Sequence, residues 1–169
     1  SGKRVADYGY DVINVAGAKA EWAHGTYVAG IIAAAPTESS DYSGLAPGAE
    51  LVIIRCDLDE NGNFSSSDLV FGLAYAIACN VDIINMSFCG NGGSNPFAVY
   101  TQLAVDSDII CVAAAGNDGT SAPVWPAADD NVISVGYVGK SYGITVTVGG
   151  TDVQEEELGT SSNYGDNSD

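Results

Sequence analysis

The chain has 169 residues, 46% of them hydrophobic and 16% charged, which is enough apolar material for one domain with a core and excludes wholesale disorder. Its 22 acidic residues face only 5 lysines and arginines, a formal net charge of -17 that repels phosphate backbones and anionic lipid and so argues against nucleic-acid and membrane partners. No run approaches the roughly eighteen apolar residues of a membrane span and no signal peptide opens the chain, which is compatible with an export signal since removed. The acidic balance suits bound cations, a salty or extracellular setting, or plain solubility alike, and an extracellular location is the expectation.

In chain order, Tyr10 to Val15 reads as a short strand, and His24-Gly25-Thr26-Tyr27-Val28-Ala29-Gly30-Ile31-Ile32-Ala33-Ala34-Ala35 as a helix ended by Pro36. From Val28 onward this helix carries no charge on any face, which predicts burial on all sides. Glu50 to Cys56 is an apolar strand introduced by Gly44-Leu45-Ala46-Pro47-Gly48. The polar loop from Asp57 to Ser67 then leads through a serine cap into a helix from Asp68 to Cys79. Val81 to Ser87 is a strand, Pro96 to Val105 a helix and Asp108 to Ala113 a strand; Asn131 to Val138 is another strand after the Trp125-Pro126 turn. Gly143 to Gly150 alternates as an edge strand or hairpin, and Asp152 to Asp169 is expected to be a flexible acidic tail. Apolar Val, Ile and Ala runs alternating with helices predict an α/β fold, a parallel sheet with helices on both faces, in three layers. Ligands of such sheets gather at the carboxyl ends of the strands.

His24, the sole histidine, opens the first helix, where backbone N–H groups and the positive end of the dipole favour a neutral, proton-accepting imidazole of the kind a general base requires. One histidine beside one glycine also describes a structural helix cap, so the pair is a weak motif by itself. Cys56, Cys79, Cys89 and Cys111 stand well apart, with no C-x-x-C spacing and no second histidine, so they read as small buried thiols rather than a zinc set.

Two strands stop in small, glycine-bearing loops, Ile84-Asn85-Met86-Ser87-Phe88-Cys89-Gly90 and Val112-Ala113-Ala114-Ala115-Gly116-Asn117-Asp118-Gly119. Alanine and glycine let another backbone approach closely, and Asn117 offers an amide donor at a rigid strand end, suited to a developing oxyanion. Gly-Asn is equally an ordinary turn.

Together the His-Gly-Thr block at 24–30, the Asn-Met-Ser block at 85–87 and Ala-Ala-Gly-Asn at 114–117 resemble the subtilisin-like serine proteases in order and spacing. Gly44 to Gly48, Trp125-Pro126-Ala127, Val132 to Gly136 and Ser162-Asn163-Tyr164-Gly165 serve as weaker landmarks. The resemblance implies a serine endopeptidase acting on peptide or protein substrates, with His24 as general base and Asn117 as oxyanion donor. It further implies that Ser87, Phe88, Cys89 and Gly90 line one side of the primary specificity pocket, that Ala114, Ala115 and Gly116 line the other, and that Gly62, Asn63 and Phe64 form an edge pairing with extended substrate. No cofactor is required, and calcium enters only as a structural ion. Phe64 and Phe88 replace the usual smaller or aliphatic residues, Cys89 a glycine, and Tyr27 a second histidine. Trp125-Pro126 matches a turn often built with a cis peptide.

Two look-alike motifs are set aside. Asp57-x-Asp59-x-Asn61-Gly62 with Asp68 at the twelfth place copies part of a calcium loop, but a strand precedes it and it lacks the closing glutamate. Gly159-Thr160-Ser161 copies the start of the family's nucleophile motif, yet polar Ser162-Asn163-Tyr164-Gly165 follows where a small apolar helix should begin. No Asp-Thr-Gly or Asp-Ser-Gly precedes His24, and Asp7 and Asp11 are poor substitutes. The resemblance therefore implies the central part of a catalytic domain, incomplete at both ends, inactive alone because the triad aspartate and serine lie in the missing N- and C-terminal parts. An alternative is a noncatalytic module of the same type that binds peptides or regulates a partner protease. An unrelated doubly wound ligand-binding domain is disfavoured, since no glycine-rich phosphate loop follows the first strand.

Overall fold

The computed structural model describes residues 10–11, 23–38, 41–56, 64–90, 93–148, 151–158 and 160–164, and it divides into two compact units, Ser1–Val81 and Asp82–Asp169. In the first unit, strand β1, Tyr10–Asp11, pairs in parallel with β2, Ile54–Arg55. Positions 12–15 of the expected first strand lie outside the described residues.

Helix α1, Ala23–Ala33, forms within the charge-free run. The last carbonyls of a helix have no partner inside it, and here the following loop supplies donors to three carbonyls at the helix end. The N–H groups of Gly44, Leu45 and Ala46 donate to the carbonyls of Ala34, Ile31 and Ile32 at 2.9, 3.0 and 2.7 Å. Gly44 approaches so closely that a Cβ would stand 2.6 Å from the Ala33 nitrogen and 2.7 Å from that of Ala34. The prediction that α1 is buried on all sides is corrected: Tyr27 is 69% and Ile31 55% exposed, and of the helix only Ala33 is buried among the described residues. Lack of charge says what a helix surface avoids, not what covers it. Segment 44–46 covers one end, and the face carrying Tyr27 and Ile31, one turn apart, stays open.

Helix α2, Ser66–Ala78, begins two residues ahead of the expected Asp68 because Ser65 is its cap. The Ser65 hydroxyl oxygen accepts from the Asp68 N–H at 3.2 Å and its proton is directed to the Asp68 carboxylate. A cap of this kind stabilises by about 1 kcal/mol. Leu69, Gly72, Leu73 and Ala76 form the buried stripe, with Ile54 and Cys56 over Gly72, while Phe71 is exposed.

In the second unit, β3 (Ile83–Met86), β4 (Ile110–Ala114) and β5 (Val132–Val135) form a parallel sheet in that order. The register pairs Ile84 with Cys111 and Val132, and Met86 with Ala113 and Ser134. Helix α3, Ala98–Asp106, connects β3 to β4. It ends in a left-handed turn at Asp108 (φ 58), with Asp108 N–H donating to Val105 and Ile109 N–H to Ala104 at 3.0 and 2.9 Å, the double closure that stops a helix sharply. Asn80, φ 53, plays the same part after α2; Asn and Asp tolerate this conformation better than most side chains.

Ile84, Met86, Cys111 and Ala113 share the buried sheet face, and Thr101 and Ala104 of α3 are fully buried. Ile83, Ile110, Ile133 and Val135 point to the opposite face and are half or more exposed. Buried Asp129, just before β5, ties the layers together: its carboxylate accepts from Thr101 Oγ1 at 2.9 Å, from the Asn131 N–H at 2.9 Å and from Asn95 Nδ2.

Strands β6, Val138–Val148, and β7, Thr151–Leu158, form an antiparallel hairpin with an irregularity between Lys140 and Thr145. The acidic run Gln154 to Glu157, expected within a flexible tail, is strand: Gln154 pairs with Thr145, and Glu156 and Glu157 pair with Lys140 and Gly139 on the other side of the irregularity. The cysteines are free thiols, but only Cys111 is buried; Cys56, Cys79 and Cys89 are partly exposed, which corrects the reading of all as buried. No helix among the described residues is long and apolar enough to cross a membrane.

Gly44→Ala forces either the loop or the helix end to shift, since both colliding atoms are backbone. The expected loss is about 1–3 kcal/mol, read as a lower urea midpoint with an unchanged slope. An unchanged midpoint would show that the close approach is dispensable.

Candidate active site

Residues of the proposed site fall in both units. In the first, His24 is the second residue of α1 and is exposed with Gly25, Thr26 and Tyr27. Phe64 lies just ahead of the α2 cap and is 36% exposed. Gly62 and Asn63 lie outside the described residues, as do 57–61 of the calcium-like loop; Asp68, its twelfth position, is engaged in the helix cap instead. Among the described residues no group of His, Cys, Asp and Glu is arranged to hold a metal ion.

The second unit brings its site residues together through the sheet. Because Met86 is in register with Ala113, the chain leaves β3 as Ser87 to Gly90 and passes the end of β4 as Ala114 to Asn117 at the same carboxyl edge. The Asn85 amide donates to Ser87 Oγ at 2.9 Å. The Phe88 ring packs on Phe97, 6.3 Å between centroids and tilted by 51°, a favourable aromatic geometry. Gly90 and Trp125 exchange backbone hydrogen bonds of 2.9 and 3.0 Å in an antiparallel bridge, and the Trp125-Pro126 peptide is cis, as the sequence suggests. On the other side Ala115 N–H donates to Val135 at 2.9 Å, Gly116 is buried, and Asn117 is exposed.

The turn after Asn117 is held by a segment whose role the sequence reading did not anticipate. Residues 160–164 dock on 116–120: Asn163 N–H donates to the Gly116 carbonyl and Gly119 N–H to that of Ser161, each at 3.0 Å. Asn163 Oδ1 accepts from the N–H groups of Asp118 and Thr120 at 2.8 and 3.4 Å. Ser162 Oγ accepts from Tyr137 N–H at 2.9 Å, and Ser162 and Asn163 are 1% and 4% exposed. Polar composition alone suggested a flexible tail here; these side chains are buried because they satisfy backbone groups of another loop. The Ser-Asn-Tyr-Gly landmark was the signal available in the sequence. Ser161 itself is exposed within this turn and opens no helix.

Burial pushes the Cys89 thiol up, and the Asp118 carboxylate adds to the effect. Burial, and then Asp129, does the same to Cys111. Both thiols are therefore held in the protonated, weakly nucleophilic form.

A model of the subtilase family matches residues 6–169. Subtilisin E of Bacillus subtilis (strain 168) is 40% identical over 122 residues, covering 70% of this chain and 32% of that protein. The thermophilic serine proteinase of Bacillus sp. (strain AK1) is 33% identical over 142 residues, 84% of this chain and 32% of its own length. The minor extracellular protease Epr of Bacillus subtilis (strain 168) is 37% identical over 113 residues, 66% of this chain and 17% of that protein. Among solved structures, the prenylagaramide maturation protease PagA matches with a TM-score of 0.64 at 28% identity, over 86% of this chain and 48% of that one. The psychrophilic subtilisin-like protease Apa1 from the Antarctic psychrotroph Pseudoalteromonas sp. AS-11 matches with a TM-score of 0.63 at 27% identity, over 82% and 29%. The fold is the subtilisin-like α/β fold of a parallel sheet with helices, and the chain belongs to the subtilase family. It spans about a third of the length of subtilisin E.

Asp118→Asn removes the charge that opposes the Cys89 thiolate while leaving the backbone bond to Asn163 possible. Alkylation of Cys89 by iodoacetamide at pH 8, followed by peptide mass spectrometry, is expected to quicken by about two- to threefold, because a lower thiol pKa raises the thiolate fraction. An unchanged rate would remove Asp118 from the electrostatics around Cys89.

Proposed function

We propose that the protein is a serine endopeptidase of subtilisin type, hydrolysing peptide bonds in proteins. The observation carrying this reading is the paired strand-end arrangement: Ser87 to Gly90 and Ala114 to Gly116 at one carboxyl edge, with exposed Asn117 beside them. Family membership supplies the reaction class.

In this reading an extended substrate lies along Ser87 to Gly90 and its side chain enters between that segment and Ala114 to Gly116, while the family resemblance gives Gly62 to Phe64 the part of a second substrate-pairing edge. Phe88 and Cys89 narrow that pocket relative to glycine-lined ones. A serine supplied from outside residues 1–169 attacks the substrate carbonyl carbon, His24 takes the serine proton, and the carbonyl oxygen becomes an oxyanion accepting from the Asn117 side-chain amide. His24 then delivers the proton to the leaving amine, and water repeats the sequence on the acyl-enzyme. An aspartate, also outside these residues, orients the imidazole. Residues 1–169 by themselves are accordingly inactive, and no cofactor takes part; calcium is reserved for structural ions. Proteolysis outside the cell fits the acidic charge and the similarity to an extracellular protease.

The test is labelling of the full-length protein by a serine-directed phosphonate, read by mass spectrometry, with His24→Ala as control. Wild type is expected to be labelled and the variant not. A folded full-length protein that stays unlabelled would contradict the enzyme reading and leave a noncatalytic peptide-binding module. In the active protein Asn117→Ala should lower kcat on the order of a hundredfold or more, the size known for this donor in subtilisin itself.

A further inference from the structure

We infer that Asn163 is a positioning residue for Asn117, setting the direction of the oxyanion donor through the 116–120 loop; the inference rests on the role proposed above for Asn117. A side-chain amide at a strand end is useful to an oxyanion only if its backbone is fixed, since hydrogen-bond stabilisation falls steeply with misalignment. Asn117 is exposed, so its orientation depends on the residues either side. Those residues converge on Asn163. Its N–H donates to Gly116 immediately before Asn117, and its Oδ1 accepts from Asp118 immediately after, with Thr120 as a second, longer donor.

The backbone pays no steric toll for this arrangement only because two glycines permit it. Gly116 (φ +104) and Gly119 (φ +63) both adopt conformations that side chains disfavour. A Cβ on Gly116 would collide with Asn163 Nδ2, and one on Gly119 would stand 2.6 Å from the Thr160 carbonyl. The fit is specific to the amide oxygen. Asn163 Nδ2 is buried with no hydrogen-bond partner among the described residues, which is costly for a group that serves packing alone and is accepted here because the other end of the same amide meets two backbone donors.

The inference is tested by a double-mutant cycle in the full-length enzyme. Asn163→Leu keeps the branched heavy-atom shape, in a larger side chain, and removes the acceptor; Asn163→Ala serves in its place if the leucine variant does not fold. Each is made in wild type and in Asn117→Ala, with folding verified by circular dichroism. Acting through Asn117, the substitution lowers kcat on the order of tenfold in wild type with KM within about twofold, and changes kcat by less than about twofold once Asn117 is alanine. An equal loss in both backgrounds, or no loss in either, overturns the inference while the function proposed above stands. If Asn117→Ala itself costs nothing, the oxyanion role of Asn117 fails, and this inference with it.

Discussion

The parallel register of β3, β4 and β5 is the constraint on which the second unit depends. Backbone ladders are insensitive to side-chain identity, so the pairing of Met86 with Ala113 and Ala114 with Val135 sets where each strand runs out. A slip of one residue would turn Ile84, Met86, Cys111 and Ala113 from the buried face to the exposed one, at roughly 25 cal/mol for each Å² of apolar surface lost. Burial of that one face therefore fixes the place at which small residues and Asn117 emerge.

Beyond the ends of the strands no ladder continues, and the loops are held by other means. Gly90 is tied to Trp125 across an isolated bridge, Ala115 to Val135, and the Asn117 turn to residues 160–164. Most of these bonds use backbone on at least one side. The side chains facing the proposed substrate path are thus left free to vary, and Phe88 and Cys89 are examples of that freedom. The first unit uses the same strategy on a smaller scale, where backbone N–H groups of 44–46 close the end of the helix that carries His24.

Much of this was legible from the amino acids, and what was not has identifiable causes. Apolar runs located α2, α3 and the three sheet strands within a few residues, because periodicity reports backbone geometry directly; boundaries moved where caps decide them, as at Ser65 and Asp108. The small-residue loops at 87–90 and 114–117 were recognisable, not from Gly-Asn alone, which is an ordinary turn, but from their order and spacing with the His24 block. Exposure of Tyr27 and Ile31 was not foreseeable, because covering surfaces are supplied by other segments and leave no mark in the helix itself. Ser162 and Asn163 were hidden for the opposite reason: polar residues look solvated until the backbone groups they satisfy are known.

Chemically, the account comes down to whether Asn117 faces the reacting carbonyl oxygen. The most direct measurement is a crystal structure of the full-length protein with a peptidyl boronic acid, whose tetrahedral adduct imitates the intermediate of acyl transfer. The account predicts one boronate oxygen within about 2.7–3.1 Å of Asn117 Nδ2, with the peptide running along Ser87 to Gly90. A bound adduct whose oxygens are met by other donors, with Asn117 turned to solvent, would contradict it.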